Sequence, residues 1–200
     1  MDEEQLAAAW ADLDAHSAAD FRALIGSLVA DAQPAVAAFE LAAAHDSTGD
    51  PVRAVELYEA ALGAGLTGVR RRRAVIQLAS SLRNLGRAPE SVDLLTAELT
   101  APPVAADGTG GPTRTGDPSG ASGLTGSPAG TSGQAGTSGQ EPGVAALEDA
   151  VRAFLALALA EVGREREAVG VALGALAPHL PRYQRSLGAY ARELTGVPAE

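Results

Sequence analysis

Apolar residues recur along most of the chain at intervals of three and four positions, the spacing of one face of an α-helix. Leu6, Trp10 and Leu13 mark such a face within a first predicted helix, Glu3–His16. Ser17 then begins a second helix with the pattern of a capping box. The pattern therefore predicts a pair of N-terminal helices over residues 1–33.

After this pair, a helix–turn–helix unit recurs three times. The three units are Phe39–Leu62, Ile76–Leu99 and Ala153–Leu176, with turns at Gly49, Gly86 and Gly163. The first two glycines are 37 residues apart, and the next two are 35 apart once the 42-residue segment 101–142 is set aside. A repeat of this length predicts an array of helix pairs.

Residue size follows the same period. Eight positions before the turn glycine, the three units carry Leu41, Leu78 and Leu155. Five positions after it, they carry the small residues Ala54, Ser91 and Ala168. Helices approach closely where small residues face large ones, so the alternation predicts close packing within each pair.

The segment 101–142 departs from this pattern. It holds 11 of the 23 glycines and 6 of the 12 prolines, and it contains the hexapeptide Ala-Gly-Thr-Ser-Gly-Gln twice, at 129–134 and 135–140. Such a composition offers too little apolar surface to offset the entropy lost on ordering. The segment is therefore predicted to be a disordered insert between the second and third repeats.

The units resemble the tetratricopeptide repeat family, most closely its short bacterial members. The residues that carry the resemblance lie at 44–49, 54–62, 78–86 and 154–159. The resemblance implies an all-α, right-handed solenoid of about three repeats, with repeats one and two at 34–100 and the third at 143–180. A last helix, Arg182–Thr195, with Tyr183, Leu187, Ala191 and Leu194 on one face, is predicted to cap the array within 181–200.

Composition narrows the classes of function. The net charge is −10, the wrong sign for a protein whose surface binds nucleic acid or an anionic membrane. Cysteine is absent, so disulfides and thiolate metal sites are excluded. No apolar run of membrane-spanning length occurs, and the acidic start Met1–Gln5 is unlike a secretory signal, so we expect a cytoplasmic protein.

Two polar groups stand out as possible sites. His45 and Asp46 form either a partner contact or an acid–base pair, or else His45 packs between helices while Asp46 is solvated. The run Arg70–Arg73 either docks an anionic partner or pairs with nearby acidic residues. Basic residues at the start of a helix oppose the helix dipole, and this mismatch favours the interpretation that the run docks an anionic partner.

In tetratricopeptide arrays, the first helix of every repeat lines a concave groove that binds a protein or peptide. By position, the resemblance assigns to that groove Phe39, Glu40, Ala43, Asp46, Arg73, Ile76, Gln77, Ser80, Arg83, Asn84, Phe154, Leu157 and Glu161. Arg73, Arg83 and Asn84 could hold a carboxylate. The two-carboxylate clamp known in the family needs Lys and Asn where this chain has Phe39 and Ala43.

The sequence thus predicts an interaction module, an adaptor or scaffold that binds a protein or peptide segment in the groove. The alternative is a self-associating protein that forms homo-oligomers, favoured if a large apolar patch were exposed around Trp10 and Phe21. No catalytic residue, metal or cofactor is predicted, because no nucleophile elbow, phosphate-binding loop or dinucleotide motif occurs.

Overall fold

A computed structural model describes residues 1–101, 143 and 147–196. These residues form nine α-helices and no β-strand. The helices are α1 Glu3–Ala11, α2 Ala18–Leu28, α3 Pro34–Ser47, α4 Pro51–Gly63, α5 Gly68–Asn84, α6 Ala88–Thr100, α7 Glu148–Glu161, α8 Glu165–Leu176 and α9 Gln184–Thr195. The predicted insert lies outside the described residues, apart from Ala101.

Each helix packs mainly against its neighbours in sequence, so the protein is an all-α solenoid. The pairs α3–α4, α5–α6 and α7–α8 are the three predicted repeats, and α9 packs on α8. In addition, α5 contacts both α3 and α7, whereas no comparable contact joins α4 to α6 or α6 to α8. The first helices are therefore closer together than the second ones, and the array curves toward the first helices.

The three repeat turns share one backbone conformation. Gly49, Gly86 and Gly163 have φ angles of 82°, 77° and 77°. In each turn the residue after the glycine donates its N–H to a carbonyl five positions back, as Asp50 does to His45 over 2.9 Å. A Cβ atom strains this left-handed conformation, so glycine is needed at all three turns.

The core consists of three apolar clusters. The first lies within repeat one and reaches α5, the second joins repeats two and three, and the third joins α1 and α2 to α3. Ala42, Ala54 and Ala79 have no exposed surface, which shows how closely the helices approach. The low aromatic content, 4%, is consistent with this close packing.

The structure corrects two details of the sequence prediction. The first helix ends at Ala11 and continues only as a 3-10 turn over Leu13–Ala15, so it stops before His16. The last helix begins at Gln184, and Tyr183 precedes it with a left-handed φ of 68°. Tyr183 is 77% exposed and does not belong to the packed face, unlike Ala191.

The outer side of α9, within the described residues, carries no large apolar residue. If another helix paired with α9 as α4 pairs with α3, it would cover four positions given by the register of the repeat. All four are exposed: Arg182, Ser186, Ala189 and Glu193. None of the four is a large apolar residue. No helix in the described ranges is both long and apolar enough to span a membrane.

Candidate binding surface

One stripe of residues on each first helix faces the inside of the curve. The positions thirteen, nine, six and two before the turn glycine follow one another at intervals of three or four residues. Each interval is about one helical turn, so the four positions share a face. We call these residues the groove: Val36, Glu40, Ala43 and Ser47 on α3, Arg73, Gln77, Ser80 and Asn84 on α5, and Ala150, Phe154, Leu157 and Glu161 on α7.

The groove is open at one end and closed at the other. On α7, Leu157 is 49% exposed, and on α5 the side chains of Gln77 and Ser80 are half-buried. On α3, by contrast, Glu40 and Ala43 are only 6% and 5% exposed. Val36 and Ser47, at the two ends of the α3 stripe, are half-buried, so α3 is closed only at its centre, and the most exposed apolar residue of the groove is Leu157 on α7.

Two residues assigned to the groove by position lie in the core. Phe39 is 1% and Ile76 is 7% exposed. Each precedes a groove residue by one position, a rotation of about 100° around the helix, which turns it toward the neighbouring helices. The Phe39 ring contacts the Tyr58 ring at a centroid distance of 6.2 Å, and the Arg73 guanidinium lies 5.7 Å above it.

Arg83 is tied to the rim of the groove. Its Nη1 donates a 2.6 Å hydrogen bond to Glu161 of the next repeat, while its buried Nε has no hydrogen-bond partner in the described part of the chain. Asn84, beside it, is exposed. A ligand carboxylate at this rim would therefore compete with Glu161 for Arg83.

The adjacent residues His45 and Asp46 do not act as a pair. His45 Nδ1 lies 3.0 Å from the Asp50 carboxylate, and Ser81 Oγ donates a 2.9 Å hydrogen bond to Asp46. The hydrogen bond to His45 lowers the pKa of Asp50. Burial raises the pKa of Asp46, although the bond from Ser81 opposes this. Both residues join elements of the array and face different partners.

The arginine run pairs with acidic residues of other helices. Arg71 Nη1 donates hydrogen bonds of 3.0 and 2.9 Å to Glu98, whose carboxylate also lies 3.2 Å from Arg72 Nε. Arg70 donates to Glu40 over 3.1 Å. The sequence prediction did not single out Glu98, because a helix-end glutamate carries no local signal of a partner 27 residues away.

Glu40 is a buried carboxylate at the closed end of the groove. Burial raises its pKa, while the hydrogen bond and charge of Arg70, the charge of Arg73 and a hydrogen bond from Trp10 lower it. A buried carboxylate destabilises the fold unless hydrogen-bond donors and opposite charges compensate for the lost contact with water. The chain supplies them from α1 and α5.

The helix α9 repeats the pattern of the first helices. It ends at Gly196, whose φ is 73°, and the groove positions counted from that glycine are Leu187, Tyr190 and Leu194. Tyr190 is 62% exposed, at the position that Leu157 occupies on α7. Sequence reasoning missed Tyr190 as a groove residue. The signal was available in Gly196, which matches the turn glycines of the three repeats.

The region around Trp10 and Phe21 is packed rather than open. The two rings meet edge to face at a centroid distance of 5.0 Å, and Phe21 has no exposed surface. The apolar patch that would favour self-association is therefore not found at this place. Within the described ranges, no cluster of three or more His, Asp or Glu side chains could hold a metal ion.

These features define a class of protein, a helical repeat solenoid with an accessible inner groove. The tetratrico peptide repeat family matches the chain over residues 35–109 and 136–194, which is more than half of its length. The chain belongs to this family. No curated protein and no solved structure gave a significant match. Tetratricopeptide repeats are in general modules of protein interaction.

Proposed function

We propose that the protein is an adaptor or scaffold that binds a protein or peptide segment in the groove formed by α5 and α7. The observation that carries this proposal is the exposure of Leu157. An apolar side chain that is 49% exposed on the inner side of a curved array loses contact with water when a partner fills the curve.

The polar residues of the groove would orient such a segment. The buried Oε1 of Gln77 accepts no hydrogen bond from the residues described, so a rotation of this half-buried side chain toward a partner's backbone N–H would form a hydrogen bond without breaking one. Asn84 is exposed and offers both a donor and an acceptor. An apolar anchor beside Leu157 and Phe154, flanked by main-chain contacts to Gln77, fits this arrangement.

The proposal is tested with a matched pair of variants. Leu157→Asp changes the groove, while Val169→Asp changes a residue of equal exposure, 50%, on the second helix α8. We expect Leu157→Asp to abolish capture of partners from cells of the native organism and Val169→Asp to leave it intact. A photo-crosslinking residue at 157 should give adducts that the same residue at 169 does not. Equal capture and equal adducts would overturn the proposal.

Three finer statements belong to the same proposal. We expect the protein to act in the cytoplasm, to bind no nucleic acid and to catalyse no reaction, on the grounds of its acidity and the absence of catalytic motifs. Fractionation of native cells and a screen of the captured material for nucleic acid would check the first two.

A further inference from the structure

The first helix holds the closed end of the groove at two points. Glu3 forms a 2.6 Å ion pair with Nη2 of Arg70, whose Nε donates to the buried Glu40. Trp10 also makes a hydrogen bond with Glu40. Glu3 and Trp10 are seven residues apart, so they lie on one face of α1. Both ends of this short helix therefore contact a groove residue or its partner.

This contact accounts for the burial of Glu40. Glu40 is 6% exposed, whereas Gln77 and Phe154, at the same register on α5 and α7, are half-buried. No segment corresponding to α1 covers α5 or α7 among the described residues. The closed end is thus an interaction surface that already has an occupant from the same chain.

The attachment of this occupant is limited. The helix α1 has nine residues, fewer than an isolated helix needs to be stable in water, and it is held by the buried Leu6 and Ala9 and by the partly buried Trp10, which packs on Phe21. The Glu3 side chain is 62% exposed, and an ion pair so open to solvent contributes little to stability. Segments held by few contacts open locally while the rest of the protein stays folded.

We propose that α1 is a removable cover and that the surface beneath it binds an acidic amphipathic helix of a partner protein. The inference rests on the proposed function, because it extends the binding groove from α5 to α3. Charge complementarity identifies the partner: Arg70 takes a carboxylate, as it now takes that of Glu3. Apolar side chains three and seven positions later would replace Leu6 and Trp10.

The experiment uses the full chain and a labelled synthetic peptide of residues 1–16 as the probe. Leu6→Asp removes the main buried contact of α1, and Glu3→Arg reverses the charge at its exposed ion pair. Trp10 is the only tryptophan, so its emission reports whether α1 is docked. We expect both variants to shift this emission to the red and to bind the peptide at least tenfold more tightly than the wild type, by fluorescence anisotropy.

Glu4→Arg is the matched control, since Glu4 is an exposed neighbour of Glu3 with no ion pair in the described structure. It should leave both the emission and the peptide affinity as in the wild type. The inference is overturned if the peptide binds all proteins equally, binds none of them, or binds only when the variant becomes a dimer that exchanges α1. These measurements involve neither Leu157 nor a captured partner, so this inference and the proposed function can fail separately.

Discussion

The Ser81 hydroxyl, which has no exposed surface, donates a 2.9 Å hydrogen bond to the carboxylate of Asp46 on the preceding repeat. The two residues join α3 to α5 where the first helices of repeats one and two meet. Asp46 therefore helps to hold repeats one and two together. A change in its protonation should consequently change the free energy of unfolding.

Asp46→Asn should reduce the dependence of stability on pH. Burial raises the folded-state pKa of Asp46 above its ordinary value of 3.8, so between these two values the folded protein binds more protons than the unfolded chain. The free energy of unfolding then falls as the pH rises through this window. Asparagine keeps an oxygen to accept the bond from Ser81 but carries no charge. In urea unfolding between pH 4 and pH 7, the free energy of unfolding of the variant should increase relative to that of the wild type as the pH rises. A constant difference across the series would contradict this account.

Tyr58→Phe should stabilise the protein. The tyrosine has no exposed surface, and its hydroxyl finds no hydrogen-bond partner among the described residues. A buried hydroxyl without a partner costs about 1–3 kcal/mol, and phenylalanine keeps the ring that packs on Phe39. We expect the free energy of unfolding to rise by about 1 kcal/mol in urea titrations. A loss of stability would indicate that the hydroxyl has a partner after all.

Two glycines of α8 should respond in opposite ways to alanine. A Cβ atom at Gly170 would lie 2.8–2.9 Å from Thr195, Ala191 and Leu194 of α9, including the backbone oxygen of Ala191. At Gly174 the nearest atom, the Ala191 methyl, lies at an ordinary 3.9 Å.

Gly170→Ala should therefore push α9 away and lower the melting temperature by several degrees, a loss of about 1–3 kcal/mol. Gly174→Ala should be neutral or stabilise α8 by up to about 1 kcal/mol, because alanine favours the helix. Thermal unfolding of both variants followed by circular dichroism checks the pair. Equal effects of the two substitutions would show that α9 does not cross α8 at Gly170.

Glu98→Gln should weaken the joint between α5 and α6. Glu98 is 8% exposed, accepts two charge-assisted hydrogen bonds from Arg71 and forms an ion pair with Arg72, so the substitution weakens its contacts with two guanidinium groups. Hydrogen bonds to charged groups contribute about 1.5–3 kcal/mol, and the partial exposure of Arg71 places the expected loss near 2 kcal/mol.

The control for Glu98 is Glu90→Gln on the same helix. Among the described residues Glu90 pairs only with Arg87, three positions before it, and the two side chains are 55% and 41% exposed. We expect no measurable change in the urea midpoint for this variant. If the two substitutions gave the same result, the burial of Glu98 would not matter to the fold.

The repeat array could be predicted because its signals are local. The turn glycines Gly49, Gly86 and Gly163 are one period apart once the segment 101–142 is set aside, and each of them has the left-handed φ that only glycine adopts without strain. The family assignment followed from the same residues. The first helix was predicted too long because Leu13 continues the apolar spacing, although its backbone has already left the α-helix.

The groove was harder to predict, because a residue that faces the groove and one that faces the core can be adjacent in the sequence. Glu40 and Phe39 are neighbours in sequence, and the resemblance to tetratricopeptide repeats assigned both to the inner surface by position. The partners of the arginine run depend on contacts between residues about 30 positions apart, such as Arg70 with Glu40. Such contacts depend on the angle between helices, which no local pattern records.

The second and third repeats meet in a way that has a practical use. The helix α6 ends at Thr100 and α7 begins at Glu148, yet the two pack as α4 does against α5, which are joined by four residues. The packing of α6 on α7 therefore does not require a short connection, and lengthening a long flexible connection further costs little entropy. A fluorescent protein or an affinity tag could be grafted there, within the repeat array itself, as a reporter that leaves both ends of the protein untouched.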